Sequence, residues 1–158
     1  MDSVANGNTG PIFGIDTETT ASNDLFLYAA GFDFWHSTGA GQLPPATVAR
    51  YAQTGALVPG PTGANELCVI GGLEPGTTIT APASLLPGGE CFNTSNKTWR
   101  AIAPLNYPRY LAGSAVGFDG TWYVFGGINA IFGAVEEIEA YDAINNRWLV
   151  LDYPFNIN

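Results

Sequence analysis

The chain is 158 residues long, 46% hydrophobic and 13% aromatic but only 12% charged, which suffices to bury a core and excludes a disordered tail. Its 14 acidic residues against 5 basic ones give a net charge of -9, the wrong sign of field for a phosphate backbone, so nucleic acid is not an expected partner. No uncharged apolar run reaches the roughly 18 residues of a membrane-spanning helix, and the opening Met1-Asp2-Ser3-Val4 has neither the basic start nor the apolar stretch of an export signal.

Glycine at 20 and proline at 11 positions cut the chain into many short segments, which predicts an all-β fold. Three short apolar runs stop on small residues: Leu25 to Gly31, Leu67 to Gly72 and Trp122 to Gly127. Each reads as a buried strand ending where only Gly or Ala fits. Seven positions before these glycines stand Asp24, Asn65 and Gly120, each in a pair that favours a tight turn, so every strand is expected to open with a hairpin.

An aromatic follows 20 residues after Gly31 and Gly72, at Tyr51 and Phe92, and 14 residues after Gly127, at Tyr141. Seven residues further on, Trp99 and Trp148 stand in the second and third units, and Val58 holds that place in the first. Each unit closes on proline, at Pro59 and Pro61, at Pro104 and Pro108, and at Pro154. The expected division is an N-terminal extension over 1–9, a degenerate unit over 10–60, a second over 61–108 and a third over 109–158.

This pattern resembles the kelch repeat, in which a diglycine ends the second strand of a four-stranded propeller blade and a Tyr and a Trp mark the third and fourth. The resemblance is fullest over 109–154, from Pro108-Arg109 through Asp119-Gly120, Gly126-Gly127 and Tyr141 to Trp148. It is partial over 65–108, carried by Gly71, Gly72, Phe92 and Trp99, and holds only in outline over 10–60. It implies kelch-like β-propeller blades, about three of them, where a closed ring of this kind has roughly six or seven blades of about 50 residues each. An incomplete or assembled propeller is therefore expected, whose end blades a protein partner or a second copy covers.

In a four-stranded antiparallel blade the loops joining strands two to three, and four to the next blade, share one face. The long segments 32–49, 73–89 and 128–134 are expected there, with Arg109 and Tyr110 at the join between the second and third blades. Loops on a rigid scaffold carry binding residues, and aromatic and arginine side chains are the usual anchors. Phe32, Phe34, Trp35, His36, Arg109, Tyr110 and Phe132 are the binding candidates. Alternatively, Phe34 and Trp35 fold back over the first blade as a plug.

Cys68 and Cys91 are too few for a disulfide-built fold and lack the spacing of a zinc site. They are either two buried thiols or one bridge. If the repeat holds, they correspond to Tyr123 and Ala140, positions opposite each other across a hairpin. On the opposite end of the blade, the three-to-four turn holds two N-glycosylation sequons, Asn93-Thr94-Ser95 and Asn96-Lys97-Thr98. A bridge and sequons agree on an extracellular or lumenal compartment, with the cytoplasm as the alternative.

Catalysis finds little material. The sole histidine is His36, beside Ser37 and three residues after Asp33, and adjacency in sequence is not triad geometry. Galactose oxidase and its relatives also carry kelch propellers, but their copper site needs two histidines. Glu136, Glu137, Glu139 and Asp142 read as a solvated strand edge rather than a calcium site.

The expected function is that of a non-catalytic protein–protein interaction module, a structural or accessory subunit of a larger assembly, with no cofactor and no metal. A secreted carbohydrate-binding protein or fragment of a galactose-oxidase-like enzyme is one alternative, and a fragment of an intracellular kelch adaptor is the other.

Overall fold

The computed structural model describes residues 26–29, 34–37, 44, 46–74 and 84–151, the first two segments as backbone alone. All elements among the described residues are β-strands. β1 (Phe26–Ala29) and β2 (Phe34–Ser37) form an antiparallel pair whose backbone register sets position 28 against 35. Phe34, Trp35 and His36 therefore belong to a strand rather than to a long loop over 32–49. The run Phe34-Trp35-His36-Ser37 lacks Gly and Pro and is rich in residues that suit a pleated surface.

β3 (Thr54–Pro59), β4 (Asn65–Ile70), β5 (Gly89–Asn93) and β6 (Thr98–Ile102) form one four-stranded antiparallel sheet in chain order. β7 (Gly113–Val116), β8 (Trp122–Phe125), β9 (Ile138–Asp142) and β10 (Arg147–Leu151) form a second sheet of the same order. Each strand pairs with the next in the chain: β3–β4, β5–β6, β7–β8 and β9–β10 are short hairpins, whereas the segments 71–88 and 126–137 separate β4 from β5 and β8 from β9.

The position of β3 corrects two assignments in the first unit. Val58 pairs with Glu66 on β4, so Thr54–Pro59 opens the following sheet instead of closing a preceding one. The Pro59-Gly60-Pro61 segment is a hairpin turn, closed by Gly60 N donating to Ala64 O at 2.8 Å with Gly63 at φ 83°. Tyr51 is likewise not a third-strand aromatic: it bridges to Leu73, as Tyr110 bridges to Ile128. Arg50-Tyr51-Ala52 thus repeats as Arg109-Tyr110-Leu111, with Ala52 and Leu111 both at φ 54°.

The diglycines end β4 and β8 as the sequence predicts, and their geometry shows why the second glycine is needed. Gly72 and Gly127 have φ of 89° and 86°, and a Cβ there would lie 2.5 Å from Tyr51 O and 2.8 Å from Tyr110 O. Left-handed backbone packed onto a neighbouring carbonyl admits only glycine.

Strand alternation gives each sheet two faces. One face of the β3–β6 sheet carries Val58, Cys68, Ile70, Cys91 and Ile102, and it packs against Trp122, Val124, Tyr141 and Trp148 of the β7–β10 sheet. We call these the trailing face of the first sheet and the leading face of the second. Trp148 centres the aromatic group, 5.1 Å from Trp122 and 5.0 Å from Tyr141. Each large side chain buried here contributes about 1.5–3 kcal/mol over leaving it in water.

The two sheets meet along their first strands. Thr54 Oγ1 donates to Ser114 Oγ at 2.8 Å, Ser114 Oγ to Gly55 O at 3.1 Å and Leu111 N to Ala52 O at 2.8 Å. Trp148 Nε1 donates to Ala103 O at 3.0 Å and ties the last strand of the second sheet to the end of the first. The two four-stranded sheets pack face to face, and neither closes on itself.

Candidate functional site

Two of the expected binding anchors lie inside the protein. Arg109 and Tyr110 are each 1% exposed, which removes them from the list of surface contacts. Arg109 Nη2 donates to Glu139 Oε1 at 2.9 Å, Nη1 to Gly126 O and Glu137 O at 3.1 and 2.8 Å, and Nε to Tyr107 O at 2.9 Å. One guanidinium fork therefore clamps the diglycine end of β8 to the start of β9, a geometry that suits arginine's planar donors.

Glu139 corrects the solvated-edge reading of the acidic group. It is fully buried on β9, and besides Arg109 it accepts bonds from Asn106 N, Asn106 Nδ2 and Tyr107 N at 2.8, 2.8 and 3.0 Å. Alternation places Glu139 on the leading face, where a charge is stable only when paired.

The β3–β6 sheet repeats the device. Arg50 Nη1 donates to Gly71 O and Gly88 O, both at 2.9 Å, and Nη2 lies 3.7 Å from Glu90 Oε1. Glu90 accepts in addition from Thr47 N at 2.9 Å, from Thr47 Oγ1 and from Val48 N at 3.0 Å. Burial pulls the Arg50 guanidinium below its usual range, and the Glu90 charge opposes that pull. Neither Arg50 nor Glu90 stood among the candidates. Their signals are the recurring Arg-Tyr pair and a Glu two residues before Phe92 and before Tyr141.

A third ion pair sits between the sheets. Arg100 Nη2 lies 2.6 Å from Glu66 Oε2, and its Nη1 reaches Tyr141 Oη at 3.4 Å. The hydrogen bonds that Arg100 donates to Glu66 raise its pKa, whereas burial raises that of Tyr141. Tyr141 Oη donates to Asn146 Oδ1 at 2.8 Å.

Cys68 and Cys91 are directly opposed on β4 and β5 and are joined as a disulfide, with Cα atoms 4.0 Å apart. Glu66 lies near enough to both sulfurs to complete a three-donor set. In the oxidised pair, however, neither sulfur is a thiolate, and the Glu66 carboxylate is held by Arg100.

The repeat-structural aromatics are cross-strand neighbours: Phe92 faces Trp99 with ring centroids 5.2 Å apart, and Tyr141 faces Trp148. Asn93 and Asn96 occupy the exposed β5–β6 turn. The Asn93 carboxamide oxygen accepts from Ser95 N and Asn96 N, and that of Asn96 accepts from Thr98 N and Thr98 Oγ1.

Of the remaining candidates, Phe32 lies outside the described residues, and Phe34, Trp35 and His36 are placed only as backbone on β2. Phe132 is 57% exposed at φ 62°, beside an exposed Ile131, in a turn that Asn129 Oδ1 organises by accepting from Ile131 N and Gly133 N. At the other end of the sheet Phe118 stands fully in solvent.

A groove of about 450 Å³ opens at that same end, lined by the turns at Pro59-Gly60-Pro61, Asp119-Gly120-Thr121 and Asp142-Ala143-Ile144. Its two carboxylates are occupied within their own turns. Thr121 holds the Asp119 pKa low through its backbone and hydroxyl, and Asn145, followed by Arg147, does so for Asp142. No protein-family model matches the chain, and no curated protein matches it.

Proposed function

We propose that the chain is a non-catalytic protein–protein interaction module of kelch-like propeller blades, acting as a structural or accessory subunit of a larger assembly. The observation that carries this reading is an asymmetry of cover. The β3–β6 sheet has its trailing face closed by its neighbour, whereas the β7–β10 sheet leaves Phe125, Leu149 and Leu151 between 38 and 43% exposed. Adjacent large apolar side chains on one surface mark an interaction site in a soluble domain.

Two further observations favour blades over an arbitrary sandwich. Both sheets have the order of a four-stranded meander, and they meet first strand to first strand as radial packing requires. The Arg-Tyr, diglycine, Glu, aromatic and tryptophan positions also recur in each. The buried Arg109–Glu139 and Arg50–Glu90 pairs tie strand ends to connecting segments, which suits a scaffold better than a reaction centre.

We place the protein in an extracellular or lumenal compartment, which the Cys68–Cys91 bridge and the exposed sequons of the β5–β6 turn both favour. Native mass spectrometry of the protein from its natural source tests the reading, because one spectrum reports chain mass, glycan and bound subunits. One chain bound to unlike subunits supports the assembly role. A lone unpartnered chain overturns it.

A further inference from the structure

The trailing faces of the two sheets match position by position. Cys68, Ile70, Cys91 and Ile102 of the first correspond to Tyr123, Phe125, Ala140 and Leu151 of the second, with Leu149 in the place of Arg100. Cys68, Ile70, Cys91 and Ile102 are at most 5% exposed beneath the neighbouring sheet, while Phe125 and Leu151, the counterparts of Ile70 and Ile102, are 40 and 38% exposed, and Leu149 beside them is 43% exposed.

The diglycines report the same difference independently. A Cβ on Gly71 would lie 2.5 Å from Arg109 O, the leading residue of the next sheet, whereas a Cβ on the matching Gly126 meets nothing within 4 Å. Gly72 N donates to Arg109 O at 3.0 Å, and among the described residues the N–H of Gly127 has no such acceptor. The seat that the second sheet fills on the first is thus present and open on the second.

We infer that the trailing face of the β7–β10 sheet docks a further four-stranded antiparallel sheet, supplied by a protein partner. Its leading face carries aromatic side chains, and its first segment seats a backbone carbonyl at Gly126-Gly127. The occupant's chemistry follows from the interface already formed within the chain, where this same face is covered by two tryptophans, a tyrosine and a valine. Leu149 in place of Arg100 removes the cation that faces Tyr141 in that interface, so the occupant needs an apolar group at the corresponding point. This inference rests on the interaction-module reading and specifies its surface.

The test is site-specific photo-crosslinking in the native host, with p-benzoylphenylalanine placed at Leu149 of the full chain and, as control, at Thr62 in the exposed β3–β4 turn. Crosslinks from position 149 are expected to land on a partner strand bearing Trp, Tyr or Phe. Gly126→Asn supplies the second arm. Asparagine tolerates left-handed backbone and its Cβ enters open space, so the thermal midpoint is expected to stay within about 5 °C while crosslinking falls about ten-fold. Crosslinks no stronger than the Thr62 control, crosslinks to a non-sheet segment or to Leu149 of a second copy, or full crosslinking in Gly126→Asn would each overturn the inference. If native mass spectrometry shows unlike subunits while position 149 stays silent, this docking surface falls and the module reading stands. A lone chain removes both.

Discussion

Arg109 and Glu139 meet across the interior with Nη2 and Oε1 2.9 Å apart and both side chains withdrawn from solvent. Neither residue is close to the other in sequence, and together they join the entry of the sheet to its third strand. A buried charge that loses its partner is costly, so Glu139→Ala is expected to destabilise the protein by about 3–5 kcal/mol. The exposed Arg147–Asp142 pair gives the contrast: Arg147→Ala should cost about 0–1 kcal/mol. Urea denaturation of the two variants distinguishes them, and equal losses would contradict the structural role assigned to Glu139.

The disulfide closes a separation of 23 residues between adjacent strands. Loop-closure entropy for such an interval is about 3 kcal/mol. Denaturant midpoints with and without reductant, or of Cys68→Ala/Cys91→Ala, measure it directly. An unchanged midpoint would show that the bridge is absent from the folded protein.

Trp148 packs on Trp122 and Tyr141 and also donates to Ala103 O, so it serves both the β7–β10 sheet and its contact with the first. Trp148→Ala is expected to cost about 3–5 kcal/mol. Trp148→Phe should recover part of that loss, because it restores ring packing without the indole N–H. Differential scanning calorimetry on the three proteins gives the ordering.

Stability should bend at both ends of the pH scale. Asp119 and Asp142 have folded pKa values below their ordinary ones, so their contribution is present above about pH 4 and is lost as pH falls through the folded values. Tyr141 has a raised folded pKa, and its contribution is present below about pH 10 and is lost as pH rises through the folded value. Thermal midpoints across pH should show a weaker alkaline branch in Tyr141→Phe, the remainder coming from Tyr51, whose pKa burial also raises, and a flatter acid branch in Asp142→Asn. Unaltered profiles in both variants would contradict these assignments.

The repeat was readable in the third unit because turn, diglycine, aromatic and tryptophan signals lie close together there and agree on one geometry. The same signals predicted β4 through β6, and the offset of Cys68 and Cys91 within the repeat predicted their opposition. The entry to each sheet was harder to read. Thr54–Pro59 offers only Leu57 and Val58 as large apolar residues, and the prolines that end it look like a unit boundary. Arg109 was misplaced because arginine on a connecting segment ordinarily faces water. Only the three-dimensional convergence of Gly126 O, Glu137 O and Glu139 on one point reveals the buried fork.

The Cys68–Cys91 link also bears on how the protein is made. The chain contains two cysteines, so oxidation within it has no wrong partner to choose. The β3–β6 meander ends at Ile102, ahead of every strand of the second sheet along the chain, so the bridge forms between strands of the sheet that emerges first. Oxidation at that stage would set the register of β4 against β5 permanently, leaving the connection between them free to change in length over evolution without letting the strands slip.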